Sequence, residues 1–308
     1  MTGIKEVVFP PQTAKADTQK KIKLSNILAL TDFSKDSDRA LDYAIALARS
    51  YDAKIFLTHV ITPDPFAYAE PGYAEITYEK LRQAAEQGIA DILISGKLRE
   101  VPHEVLLEEG NIWQVIQQLI RKHEIDLVVA GTHGRGELKK VFLGSVAEEI
   151  FRQASCPVLT VGPAIHGEAP KKVDFKNILF ATNFGRADAH ALNYALSLSQ
   201  EHAAKLTLLH VIEDAAAHTD EGLRRQRELY LNRMRDMVPP EVENWCKPEF
   251  RVTFGAAPEE ILTMIDETKA DLLVMGAKTS TSFAGHAPLT VAYTVAAHAH
   301  CPVFTVRG

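Results

Sequence analysis

The chain has 308 residues, of which 46% are hydrophobic and 24% are charged, and its formal net charge is −6. This length favours about two domains, and the composition is that of a soluble globular protein rather than of a disordered one. The acidic balance argues against a general nucleic-acid-binding protein, because neutralising phosphates requires a basic surface.

The composition of residues 1–23 predicts a polar leader at the start of the chain. Their short apolar run is broken by two prolines, so it is not a signal-peptide core. No stretch of the chain approaches 18 consecutive apolar residues, so we expect no membrane span. Three cysteines (Cys156, Cys246 and Cys301) make a disulfide framework improbable and favour a reducing cytoplasm.

Strands alternate with helices through the first half of the chain. A short apolar run at 26–31 predicts a buried strand, and the apolar residues of 36–50 share one helical face. The alternation continues with strands at 54–60, 103–107, 126–130 and 157–161 and with helices at 76–97, 111–123 and 145–153. This order predicts an α/β fold with a mostly parallel sheet that helices cover on both faces. In such a sheet, ligands bind beyond the carboxyl ends of the strands, where the winding direction reverses.

The second half of the chain repeats the first. Residues 26–61 align without gaps on 177–212, and sixteen of the 36 positions are identical. Farther along, Cys156-Pro157-Val158 corresponds to Cys301-Pro302-Val303. The repeat is domain-sized, well beyond the period of a solenoid. It predicts a first domain at 24–162, a Gly-, Pro- and charge-rich linker at 163–175 and a second domain at 176–308.

A glycine loop follows the fourth strand, with the spacing Gly131-x2-Gly134-x9-Gly144-Ser145. Glycines let a phosphate approach backbone N–H groups, and a helix beginning at Ser145 adds unpaired donors and the positive end of its dipole. His133, Arg135, Lys139 and Lys140 add positive potential. We therefore predict a phosphate-binding loop, although glycines here are also compatible with simple turns and Ser145 with a helix cap.

The chain resembles the universal stress protein family in its tandem-domain form. The loop matches the family's pattern G-x2-G-x9-G-[ST], and the segments ALTDFS and THVI match as well. The resemblance implies two tandem Rossmann-like domains, each a five-stranded parallel sheet flanked by helices. It also implies a cytoplasmic, ATP-binding regulator or sensor in the stress response rather than a metabolic enzyme.

In ATP-binding members of the family, the Asp after the first strand and the backbone at the end of the second strand hold adenosine. The glycine loop holds the ribose and the phosphates, with any Mg²⁺ bound mostly by phosphate oxygens and waters. Asp32 is also a candidate cap of the following helix. Carried over to this chain, the resemblance implies a site formed by Leu30, Thr31, Asp32, Val60, Ala130, Gly131, Gly134, Gly144, Ser145 and Val146.

Two other functions are compatible with the same sequence. One is a slow adenine-nucleotide hydrolase, which would need an attacking group at the α-phosphate, and the sequence offers no convincing nucleophile or base. The other is a nucleotide-free scaffold with two vestigial pockets. His59 and His210 correspond in the repeat, but no second ligand lies at metal-binding spacing, so no metal site is predicted.

The two copies differ in their glycine loops. The second copy reads Gly276-x2-Thr279-x9-Leu289-Thr290, and Asn183 replaces Asp32. A leucine at the start of the helix would obstruct phosphates, so we predict tight ATP binding in the first copy alone. The apolar last strands of the two copies should pair antiparallel and form a pseudo-dimer within one chain, because pairing removes two exposed edges. A further homodimer is compatible with this arrangement.

Overall fold

All ten strands of the described residues belong to one sheet. The computed structural model describes residues 22–62, 73–132, 147, 149–150, 153–167, 169–213, 219–277 and 291–307, with side chains from residue 78 onward in the second range. The strand order is β3-β2-β1-β4-β5-β10-β9-β6-β7-β8, so each copy contributes five neighbouring strands. None of the described helices is long and apolar enough to cross a bilayer.

The first copy has the predicted alternation of strands and helices. Its elements are β1 (Asn26–Leu30), α1 (Lys35–Tyr51), β2 (Lys54–Ile61), α2 (Tyr73–Ile94), β3 (His103–Glu109), α3 (Ile112–Lys122), β4 (Leu127–Gly131) and β5 (Val158–Val161). Helix α2 ends three residues before the predicted position, and the chain then turns through Gly96, whose φ is 75°. Asn111 caps α3, since its side chain accepts a hydrogen bond from the Gln114 amide at 3.1 Å. The predicted helix at 145–153 lies largely outside the described residues.

The second copy repeats this order. Its elements are β6 (Asn177–Ala181), α4 (Arg186–His202), β7 (Lys205–Ile212), α5 (Asp220–Met237), β8 (Glu249–Phe254), α6 (Ala257–Thr268), β9 (Leu272–Ala277), α7 (Val291–His298) and β10 (Val303–Arg307), with a short 3-10 helix at Pro240–Asn244 before β8. Strands within each copy are parallel, as the α/β pattern requires.

The last strands of the two copies pair antiparallel within the chain, which confirms the predicted pairing of these strands. Leu159 lies opposite Phe304, and the flanking pairs are Thr160 with Val303 and Val158 with Thr305. The Thr160 hydroxyl donates to the Val303 carbonyl and the Thr305 hydroxyl to the Val158 carbonyl, both at 3.3 Å. The two hydrogen bonds are related by a pseudo-two-fold axis between Leu159 and Phe304.

A hydrophobic core on one face of the sheet runs through both copies. It contains Leu41 of α1 and Leu192 of α4, together with Phe304 of β10, and each of these side chains is buried. Full burial of a side chain of this size contributes about 1.5–3 kcal/mol relative to exposure. The two copies are therefore joined by a shared core as well as by the pairing of β5 with β10.

Candidate functional site

The winding of the sheet reverses between β1 and β4 in the first copy. Strands β2 and β3 lie on one side of β1, whereas β4 and β5 lie on the other. Thr31 and Asp32 therefore follow β1 directly beside Gly131, the last residue of β4. We call the space at these strand ends the first crevice. It is the position at which α/β sheets bind ligands.

Strand β2 holds the loop that follows β1. The amide of Thr31 donates to the Thr58 carbonyl at 2.9 Å. The Nδ1–H of His59 donates to the Thr31 carbonyl at 2.8 Å, and its ring packs against that of Phe33 with centroids 4.5 Å apart. His59 is therefore a structural residue of this loop. Phe33 has a φ of 63°, and the Phe33 amide donates to the Thr31 hydroxyl at 3.0 Å, which stabilises this sharp turn.

Asp32 is half-buried at the rim of the first crevice. Its Oδ1 accepts a hydrogen bond from the Ser34 amide at 3.0 Å. Burial raises the pKa of the Asp32 carboxyl, but hydrogen bonds from the side chain and backbone of Ser34, aided by Ser37, outweigh that effect and hold the pKa below its ordinary value. Asp32 is therefore ionised at neutral pH and provides a charged hydrogen-bond acceptor.

The first turn of α1 lies against Gly131. Ser34 caps the helix and accepts a hydrogen bond from the Ser37 amide at 3.2 Å. A Cβ at Gly131 would lie 2.9 Å from both the Asp36 carbonyl carbon and the Ser37 nitrogen. These are backbone atoms of a helix, so they cannot give way. Gly131 is thus required by the packing of α1, a reason distinct from both a turn and access for phosphate.

The structure brings six of the ten predicted site residues to the same edge of the sheet. Thr31, Asp32 and Gly131 form the first crevice, and Ala130 is buried beneath it. The other two, Leu30 and Val60, are partly buried and pack on the core cluster on the α3 side of the sheet. The remaining four lie outside the described residues: Gly134, Gly144, Ser145 and Val146.

Four residues with a part in this site escaped the sequence analysis. Phe33 and Ser37 organise the loop after β1, and Thr132 is fully buried just beyond Gly131. The fourth, Gly162, allows the end of β5 to approach α7, since a Cβ there would lie 2.7 Å from the Ala296 carbonyl oxygen. Only Phe33 had a signal, because the repeat retains a phenylalanine at that position.

The second copy has a corresponding space between β6 and β9, which we call the second crevice. The loop after β6 repeats two contacts of the first copy: the His210 Nδ1–H donates to the Thr182 carbonyl at 2.9 Å, and the Phe184 amide donates to the Thr182 hydroxyl at 2.9 Å. Asn183 is exposed at the rim, where the first copy has Asp32. The scaffold is therefore retained while the charge at the rim is lost.

Comparison with known proteins finds similar proteins both in sequence and in structure. A family model described as the universal stress protein family matches residues 23–162 and 174–307. A universal stress protein of Methanocaldococcus jannaschii is 31% identical over 136 residues, which cover 44% of this chain and 80% of that protein. A universal stress protein of Thermus aquaticus is 32% identical over 135 residues, covering 44% of this chain and 96% of that protein.

The two sequence relatives each match less than half of this chain, whereas a solved structure matches both copies in fold. The crystal structure of a universal stress protein from Archaeoglobus fulgidus superposes with a TM-score of 0.65 at 20% identity. The match covers 92% of this chain and 96% of that one. The tandem arrangement of two α/β units is therefore shared with a solved structure.

Proposed function

Because the chain belongs to the universal stress protein family, we propose that it is a cytoplasmic regulatory or sensor protein of the stress response that binds ATP in its first copy. In this proposal, residues 24–162 hold the nucleotide, residues 163–175 link the copies, and residues 176–308 carry the degenerate loop. The observation that carries the proposal is the half-buried Asp32 carboxyl, which lies at the reversal point between β1 and β4 and accepts a hydrogen bond from the Ser34 amide.

The described residues fit an adenosine moiety. Asp32 offers a charged acceptor for the hydroxyl groups of the nucleoside, while Leu30 and Val60 offer apolar surface at the neighbouring strand ends. In this proposal the backbone of Val60 contacts adenosine and Leu30 lies beside the base. Thr31 and Ala130 complete the wall, and Gly131 begins the loop toward the phosphates.

The triphosphate is assigned to the rest of the glycine loop. Gly134, Gly144, Ser145 and Val146 would supply backbone N–H donors and a hydroxyl to the phosphates, and Mg²⁺ would be held by phosphate oxygens and waters. ATP acts here as a bound signal. Any hydrolysis would be slow, well below the typical enzyme turnover of about 10 per second, since the sequence offers no convincing nucleophile or base for it.

Native mass spectrometry of protein purified without added nucleotide, followed by calorimetric titration with ATP, tests the proposal. We expect one ATP per chain. Gly144→Leu, which installs the residue of the second copy, should abolish binding, whereas Leu289→Gly should leave the first site intact. Two equivalent sites per chain, or a flat titration of the unmodified protein, would contradict the proposal. Sustained release of AMP at ordinary enzyme rates would favour a hydrolase instead.

A further inference from the structure

The second copy retains a carboxylate near its crevice but at a different position. Asn183 replaces Asp32 at the rim, and Asp188 replaces Ser37 in the first turn of the following helix, α4. Asp32 is half-buried, whereas Asp188 is only 3% exposed. The negative charge has thus moved from the rim of the first crevice to the floor of the second.

Asp188 is bound tightly by the loop that follows β6. Its Oδ2 accepts hydrogen bonds from the Thr182 hydroxyl at 2.7 Å and from the amides of Asn183 and Gly185, both at 3.0 Å. Three donors directed at one oxygen stabilise the ionised form of a carboxyl group. Burial raises the pKa of the Asp188 carboxyl above its ordinary value, and these hydrogen bonds oppose that rise and favour the ionised form.

The side chain of Asp188 also lies against Gly276, near the carboxyl end of β9. A Cβ at Gly276 would overlap Oδ1 of Asp188, so the space beside this glycine is filled by the carboxylate. In the first copy, the three atoms nearest to a Cβ at Gly131 all belong to the backbone of α1, and no carboxylate is among them. The side chain of Ser37 is neutral there, and its hydroxyl donates to the Ser34 carbonyl at 3.0 Å.

We propose that Asp188 is a specificity determinant that keeps polyphosphate nucleotides out of the second crevice. A fixed anion at the floor repels phosphates, and the repulsion is strong because little water reaches the group to screen it. The same carboxylate accepts hydrogen bonds from the amides of Asn183 and Gly185, so these two amides are not available to an anionic ligand. Asp188 acts independently of Leu289 and Thr279. The inference about Asp188 rests on the proposed ATP site of the first copy.

The test introduces the carboxylate of Asp188 at the equivalent position of the first copy, Ser37, in the whole 308-residue chain. Ser37→Asp installs the buried carboxylate, and Ser37→Asn is the neutral control of similar size. We expect Ser37→Asp to weaken ATP binding by at least about tenfold more than Ser37→Asn does. The loss should also be larger for ATP than for adenosine, a difference that a merely distorted site would not produce. Thermal unfolding monitored by circular dichroism reports whether each variant is folded.

Equal losses in the two Ser37 variants, or equal losses of ATP and adenosine binding, would overturn the role of charge. If the unmodified chain binds no ATP in the same titration, the proposed function itself fails.

Should Ser37→Asp not fold, the reciprocal change decides the question. In a chain whose first site is blocked by Gly144→Leu, we expect Thr279→Gly and Leu289→Gly combined with Asp188→Ser to bind ATP, and Thr279→Gly with Leu289→Gly alone not to bind it. No binding by the combined variant, or equal binding by both, would overturn the proposal.

Discussion

Tyr51 and His202 occupy equivalent positions in the two copies and contact each other, with the Tyr51 hydroxyl oxygen 3.3 Å from Nε2 of His202. The same hydroxyl donates to Oε2 of Glu201 at 3.0 Å. Helices α1 and α4 therefore meet at their carboxyl ends, on the pseudo-two-fold axis that also relates β5 to β10. Contacts between equivalent residues are a property of two-fold interfaces, here enclosed within one chain.

The contact of His202 makes the stability of the chain depend on pH. Burial lowers the pKa of His202, while Glu201 and Asp174 raise it and Lys176 lowers it slightly. The folded state thus binds a proton less tightly than the unfolded state. The contribution of His202 to stability is therefore present above the unfolded-state pKa of about 6.5. It is lost as the pH falls through the lower pKa of the folded state. Urea unfolding from about pH 7.5 to 5 should show a steeper loss of stability for the unmodified chain than for His202→Gln. Parallel pH profiles would contradict this expectation.

Asp32→Asn should weaken ATP binding by about 10- to 100-fold, because a hydrogen bond to a charged group contributes about 1.5–3 kcal/mol. The substitution installs the residue of the second copy and preserves the size of the side chain. The reverse substitution, Asn183→Asp, is the matched control and should leave the affinity of the first site unchanged. Calorimetry measures both variants. An unaltered dissociation constant for Asp32→Asn would mean that Asp32 serves only as a cap of the loop.

Ser34→Ala should destabilise the chain by about 1 kcal/mol, because the Ser37 amide loses its acceptor at the start of α1. Ser34→Gly should cost only a few tenths of a kcal/mol, since glycine is tolerated at this position of a helix. The second copy already has a glycine there, Gly185. Urea denaturation of the two variants measures the difference. Equal destabilisation by alanine and glycine would show that the cap does not matter.

Phe304→Ala should destabilise the chain by about 3–5 kcal/mol, because the substitution leaves a cavity on the pseudo-two-fold axis. Phe304 is 4% exposed, lies opposite Leu159, and packs against the ring of Tyr194 at a centroid distance of 5.2 Å. Phe304→Leu installs the residue of the first copy and should cost much less, about 1.5 kcal/mol or below. If chemical denaturation gave equally small losses for both variants, the two copies would be held together mainly by contacts elsewhere.

The sequence alone determined the alternation of strands and helices, the duplication and the pairing of the last strands. The alternation follows from hydrophobic periodicity, the duplication from identity between the two halves, and the pairing from the need to cover apolar edges. Helix α2 illustrates the limit of this reasoning. Its apolar periodicity predicted an end near Lys97, but the chain leaves the helix at Ile94.

Only the tertiary structure decided why particular residues matter around the two crevices. Gly131 matched a phosphate-binding pattern, yet its missing side chain is required by the backbone of α1, which approaches from more than 90 positions earlier in the chain. The sequence did not single out Asp188, and only the fold shows that the donors of the loop after β6 are directed at its carboxylate. Packing and burial depend on neighbours that are distant along the chain, whereas a sequence pattern records local spacing alone.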